Sequence, residues 1–111
     1  MYTVTKKLEI SGAHRLNLPY ESKCTKLHGH NWIIFVTCQS KTLNENGMVV
    51  DFAEIKKIVG QLDHANINEI LVEQNPTAEN IARWICENVP KCVKVEVRES
   101  EGNFAIYEIS D

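Results

Sequence analysis

His30-Asn-Trp-Ile-Ile-Phe-Val-Thr-Cys-Gln39 is the stretch on which the fold turns. Ten residues dense in β-branched and aromatic side chains, without Gly or Pro, predict a strand. Upstream, Tyr2 to Ile10 interleaves Thr3, Lys7 and Glu9 with Val4, Leu8 and Ile10 and reads as a half-buried strand, with His14 just past its end. Between the two, Asn17 to Thr25 has turn chemistry and little periodicity, so it reads as a loop that carries Cys24. Downstream, a loop over Lys41 to Gly47 leads into the short apolar run Met48 to Val50. Asp51, with Glu54 three residues on, has the pattern of a capping box, and Phe52, Ile55, Ile58, Val59 and Leu62 repeat at helical spacing. After an irregular, Asn-rich connection from Asp63 to Glu73, Pro76 and Thr77 open a second helix with Ile81, Ala82, Ile85 and Val89 on its apolar face, closed by Pro90. Val93, Val95 and Val97 alternate with Lys94, Glu96 and Arg98, and a turn at Glu101 to Asn103 joins them to Phe104 to Ile109 as a closing hairpin.

The order strand, strand, helix, helix, strand, strand implies an α+β domain: a four-stranded antiparallel sheet with both helices on one face. At 111 residues the chain has room for one core, so residues 1–111 are expected to form one domain. One bare sheet face and two open edges then predict that copies associate. The composition, 43% hydrophobic and 24% charged, is that of a globular protein. A formal charge of -3 without a basic block argues against nucleic acid as a partner. Apolar runs such as Trp32 to Val36 are far below the roughly 20 residues of a membrane helix, and Met1 to Ile10 lacks a signal-peptide layout, which predicts a cytoplasmic protein. Four dispersed cysteines in such a chain read as free thiols.

His28-Gly29-His30 places two imidazoles on one face of an extended backbone. With His14 they form a set of three nitrogens able to hold Zn²⁺ and leave a fourth position for water or substrate, whereas a His pair alone is compatible with surface decoration. Cys24, four residues before His28, is a candidate base, nucleophile or fourth ligand, while Cys38, Cys86 and Cys92 fit buried structural roles. Asp63-His64 has the ingredients of a proton relay. Adjacent helical residues do not face each other, so this pair works only on an irregular backbone; otherwise His64 is a solvated helix-end histidine. Glu99, near the end of a strand, is either an exposed carboxylate or one that accepts two parallel N–H donors in a pocket. Thr77 and Glu79 stand where a helix is capped.

Ala13-His14-Arg15-Leu16, Cys24-x-x-x-His28-Gly29-His30-Asn31, Gly47-Met48-Val49-Val50-Asp51-Phe52, Leu62-Asp63-His64, Pro76-Thr77-Ala78-Glu79-Asn80 and Val97-Arg98-Glu99 occur in unbroken order from about residue 8 to residue 108. Together they resemble the 6-pyruvoyltetrahydropterin synthase family. The three residues between Cys24 and His28 resemble the family's bacterial branch, the 6-carboxy-5,6,7,8-tetrahydropterin synthases of queuosine biosynthesis; the animal enzymes have a longer insertion there. One departure is Leu8-Glu9-Ile10-Ser11-Gly12, where the family more often alternates Phe residues.

The resemblance implies the T-fold, in which sheets of several subunits join into a barrel, commonly a trimer stacked into a hexamer, with active sites between subunits. It implies Zn²⁺ on His14, His28 and His30, Cys24 as proton acceptor, Asp63 and His64 as relay, and Glu99 as the pterin anchor. Thr77 and Glu79 match a second pterin-contacting segment, and Asp51 and Phe52 are assigned to the same pocket. His64 is then expected to serve a site containing His14 and Cys24 of a neighbouring subunit. The implied reaction converts 7,8-dihydroneopterin triphosphate to 6-carboxytetrahydropterin with release of acetaldehyde and triphosphate. Retained Cys24 disfavours family members that cleave the side chain to a hydroxymethyl group, which usually replace or supplement the Cys with Glu. Two alternatives stand beside it: the pyruvoyl-forming reaction with the same zinc and thiolate, and a non-catalytic oligomer held together by zinc.

Overall fold

The computed structural model describes residues 1–109. Four antiparallel strands lie in chain order in one sheet: β1 (Tyr2–His14), β2 (His28–Ser40), β3 (Cys92–Ser100) and β4 (Asn103–Glu108). Between β2 and β3 run α1 (Phe52–Val59), a 3₁₀ turn at Gly60–Leu62, another at Ile67–Glu69, and α2 (Ala78–Asn88). The sequence order of elements is therefore observed. Both hairpin strands are longer than their apolar alternation suggested: β1 continues through Ser11-Gly12-Ala13 to His14, and β2 begins at His28.

Alternation sets the layers. Ile10, Trp32, Ile34, Val36, Cys38, Val95 and Val97 point to one face and are buried with Ile55 and Val59 of α1 and Ile81, Ala82 and Ile85 of α2. Each large aliphatic or aromatic side chain removed from water there contributes on the order of 1.5–3 kcal/mol. α1 lies under β1, and α2 under β3 and β4. Asp51 starts α1, its Oδ1 accepting from Ala53 N at 2.8 Å, and the Thr77 hydroxyl starts α2 by accepting from Asn80 N at 3.1 Å.

Among the described residues, no element covers the opposite face. It carries Thr5, Lys7, Glu9, Thr37, Glu96 and Arg98 together with half-buried Ile33 and Phe35 and exposed Phe104 and Ile106. β1 and β4 are the sheet edges. The second half of the β1 edge is occupied by the chain itself: Ser11 O accepts from His64 N at 2.6 Å, Ala13 N donates to Ala65 O at 2.9 Å, and Ser11 N donates to Asp63 Oδ1 at 2.8 Å. Weak strand formers extend β1 as far as His14 because they pair with β2 on one side, Ser11 opposite Asn31 and His14 opposite His28, and meet residues 63–65 on the other. No helix among the described residues is long and apolar enough to cross a membrane.

Candidate metal centre and adjoining cavity

Register brings the three histidines together. His14 is directly opposite His28 in the β1–β2 ladder and Gly12 is opposite His30, so the three side chains share the helix-covered face at one end of the hairpin. Their ring centroids are 4.6, 4.9 and 5.2 Å apart, and one ligand nitrogen from each falls within 4.8 Å of the others. Trp32 lies below them, its ring 5.1 Å from both His14 and His30. Gly12 makes this floor feasible: a Cβ there would meet the Leu62 carbonyl oxygen at 3.0 Å and Trp32 Cζ3 at 3.1 Å.

Two of the rings are fixed by backbone carbonyls. His14 Nδ1–H donates to Pro76 O at 2.6 Å and His28 Nδ1–H to Lys26 O at 2.7 Å. A carbonyl only accepts, so Nδ1 carries the proton in each ring and Nε2 keeps its lone pair. His14 Nε2 and His30 Nε2 are buried without a hydrogen-bond partner among the described residues. The nearest charged atom is Glu99 Oε1, 3.4 Å from His14 Nε2 and 3.7 Å from His30 Nε2. The indole Nε1 of Trp32 beneath them is likewise buried without a partner among the described residues. His14 and His28 therefore present Nε2 lone pairs to one space beside His30 and the Glu99 carboxylate, an arrangement that a cation satisfies. The three histidines fit a tetrahedral ion with one open position, held by outer carbonyls of the kind that orient metal-bound imidazoles. Burial is the main influence that lowers the His14 pKa, against the Pro76 carbonyl and Glu99, which raise it; His28 and His30 lower it further. That favours the neutral, metal-binding form.

Glu99 joins this cluster to a cavity. Val97 opposes Ile34, which places Glu99, two residues on, beside Trp32 and His30. Its side chain also lines an open cavity of about 640 Å³, bounded by Leu16, by Thr77 to Glu79 at the start of α2, and by Gly102 to Ile106 of the β3–β4 hairpin. Thr77 and Glu79 are thereby brought to the same cavity as Glu99. Asp51 and Phe52 are not: within one subunit they line a separate, more apolar hollow of about 370 Å³ with Tyr2 to Val4, Leu43 and Gly47 to Val50.

Asp63 and His64 have the irregular backbone that their chemistry requires. The 3₁₀ turn ends at Leu62, Asp63 is extended, and His64 has φ of 54°, so His64 Nε2 comes to 3.7 Å from Asp63 Oδ2. A non-glycine residue in this left-handed region costs of order 1–3 kcal/mol and is maintained by its surroundings, which here are the hydrogen bonds to Ser11. The His64 ring is largely exposed. Cys24, half-buried, occupies a 3₁₀ turn at Lys23–Thr25, where Ser22 Oγ accepts from its N–H at 3.1 Å and its carbonyl accepts from Leu16 N at 2.7 Å. Its sulfur is not part of the three-histidine ligand cluster. All four cysteines are free, with Cys38, Cys86 and Cys92 buried. Burial is the first cause that pushes the Cys86 thiol up to about 12; a hydrogen bond with Cys38 is the first cause raising Cys92.

The carbonyls of Pro76 and Lys26 and the role of Gly12 were not singled out from the sequence. In the sequence Pro76 marks a helix start and belongs to the motif Pro76-Thr77-Ala78-Glu79-Asn80, but a main-chain acceptor leaves no residue-type signal.

A small α+β chain with one sheet face bare and an open three-imidazole centre at the end of a long hairpin defines a T-fold protein with a candidate metal centre. The chain belongs to the 6-pyruvoyl tetrahydropterin synthase family, whose sequence pattern matches residues 3–110. It is 30% identical to 6-carboxy-5,6,7,8-tetrahydropterin synthase of Bacillus subtilis, over 96% of this chain and 84% of the relative. It is 34% identical to the protein of the same name from Synechocystis, over 96% and 93%. Among solved structures, the Caenorhabditis elegans 6-pyruvoyl tetrahydropterin synthase superposes with a TM-score of 0.75 at 28% identity, covering 98% of this chain and 96% of the other.

Proposed function

We propose that this chain is a zinc-dependent 6-carboxy-5,6,7,8-tetrahydropterin synthase. With one water molecule consumed, it converts 7,8-dihydroneopterin triphosphate to 6-carboxytetrahydropterin, releasing acetaldehyde and triphosphate, in the biosynthesis of queuosine. The observation that carries this reading is Glu99, whose carboxylate faces the orphaned Nε2 atoms of His14 and His30 while lining the cavity beside them. A carboxylate there can accept two N–H donors from the amino-pyrimidinone edge of a pterin, which directs the side chain of the substrate towards the three histidines. Thr77 and Glu79 border the same cavity and give it further polar groups. Zinc on the three histidines supplies charge stabilisation for side-chain oxygens when a carbon-bound proton is removed. Cys24 takes that proton, and the Asp63–His64 pair returns one. Because His64 projects from the β1 edge into solvent, its catalytic contact is assigned to a site on a neighbouring subunit.

The proposed assembly is a homo-oligomer, a trimer or hexamer, in which the open edges of β1 and β4 pair and the bare face with Phe104 and Ile106 lines a barrel. The apolar hollow at Asp51 and Phe52 then meets a neighbouring copy and completes the pocket. Residues 1–111 form one domain acting in the cytoplasm. Pyruvoyl formation is the second reading, favoured by the name of the worm relative. Chelator-treated protein is expected to lack turnover, zinc to restore it, and Cys24→Ala to remain inactive while still binding zinc; turnover by metal-free protein would overturn the reading.

A further inference from the structure

One residue outside the metal and cavity sets, Asn75, takes part in four hydrogen bonds. The Asn75 side chain forms a reciprocal pair with the backbone of Asn17: Asn17 N donates to its Oδ1 and its Nδ2 donates to Asn17 O, both at 2.8 Å. The Asn75 carbonyl accepts twice more, from Thr77 N at 2.8 Å and Asn80 Nδ2 at 2.9 Å. The next residue is Pro76, whose carbonyl holds His14 Nδ1.

These bonds close a short ring that runs His14, Arg15, Leu16, Asn17, across the amide pair to Asn75 and Pro76, and back to His14. Proline fixes one backbone torsion of the carbonyl-bearing residue, and the Thr77 cap fixes the next peptide. The ring has a second output, because Leu16 N donates to the Cys24 carbonyl at 2.7 Å. The amide pair therefore sets two things together: the direction in which His14 Nε2 points and the placement of the Cys24 turn.

We propose that Asn75 is a positioning residue for the metal centre. Its pair with Asn17 holds the Pro76 carbonyl on His14 and presets the three-histidine geometry together with the Cys24 turn. This inference rests on the metal reading above and concerns Asn75, which touches neither metal nor substrate.

An amide remote from the ring provides the control. Asn88, at the other end of α2, donates Nδ2 to Trp84 O at 2.7 Å and touches no member of the ring. Losing an outer hydrogen bond to a metal-bound imidazole typically weakens metal affinity 10–100-fold, and Asn75 acts one step further out, through the Pro76 carbonyl. Zinc affinity by competition with a chromophoric chelator, and the visible spectrum of the Co²⁺-loaded protein, would be measured for wild type, N75A, N75D and N88A. The expected result is a roughly 10-fold weaker affinity and an altered Co²⁺ spectrum for N75A and N75D, with N88A like wild type. N75D keeps one acceptor in place and covers the case in which N75A fails to fold. Wild-type affinity and spectrum in either folded Asn75 variant, or equal weakening in N88A, would overturn the inference alone. Wild type that takes up no metal would overturn the metal reading and the inference with it.

Discussion

Gly12→Ala tests the packing that places the histidines. The backbone of Gly12 is not in the left-handed region, so alanine is locally admissible, and loss of glycine's unfolded-state freedom would stabilise by about 0.4–1 kcal/mol. Against that, the new methyl would stand 3.0 Å from the Leu62 carbonyl oxygen, 3.1 Å from Trp32 Cζ3 and 3.3 Å from Ile67 Cδ1. The Leu62 carbonyl has little freedom to retreat, because the residues that follow it are tied to Ser11 through His64 N and Asp63 Oδ1. Overpacking of this kind costs roughly 1–3 kcal/mol, so the clash wins. A net loss of about 0.5–2 kcal/mol corresponds to a fall of ~2–8 °C in Tm for a chain of this size. Differential scanning calorimetry of metal-free protein measures it. Gly60→Ala, where a Cβ would meet nothing within 4 Å, is the matched control and is expected to leave Tm unchanged or raise it. Trp32 supports His14 and His30, so G12A should also weaken zinc binding. A G12A Tm at or above that of wild type would refute the close-approach argument.

Three further outcomes follow from the same geometry. Metal-free protein should lose stability as pH falls below 6.5: His14 has a lowered pKa in the fold, so the unfolded chain binds more protons there, and the loss grows until pH passes the folded value. Melting temperatures across pH 5–8 check this, with a flatter profile expected for His14→Gln. Glu99→Gln replaces one acceptor with a donor at the cavity wall; charged hydrogen bonds contribute about 1.5–3 kcal/mol, so kcat/KM at saturating zinc should fall roughly 10–100-fold while the three histidines still take up the ion, and unchanged kinetics would remove Glu99 from substrate recognition. Ellman's reagent should titrate Cys24 rapidly in native protein and Cys38, Cys86 and Cys92 only after denaturation, because those three are buried; more than one fast thiol would contradict the core assignment.

Periodicity made the architecture legible. The run from Trp32 to Cys38 alternates between the core and the bare face as the strand reading requires, and the helical spacing of Ile55, Val59, Ile81 and Ile85 marks the residues that meet it. The His-x-His pattern pointed to the cluster because strand alternation alone puts both rings on one side. Element ends were less visible. β1 reaches His14 by pairing with His28 to Asn31 of β2 and by meeting residues 63–66 at its outer edge, partners distant in sequence that leave no local signature. The register shifts at Thr37/Cys38 and Arg98/Ser100 are likewise products of pairing. Main-chain acceptors such as Pro76 O, and amide side chains that imitate strand pairing such as Asn68 and Asn75, act through geometry that the residue types do not announce. The Asn-rich composition between residues 66 and 80 was their only trace.

The central claim concerns the product. Zinc-loaded protein would be incubated with 7,8-dihydroneopterin triphosphate, the pterin product weighed by mass spectrometry, and acetaldehyde assayed in the same reaction. The account predicts the mass of 6-carboxytetrahydropterin with acetaldehyde released alongside it. A 6-pyruvoyl mass without acetaldehyde would contradict it and assign the chain to the other reaction of its family.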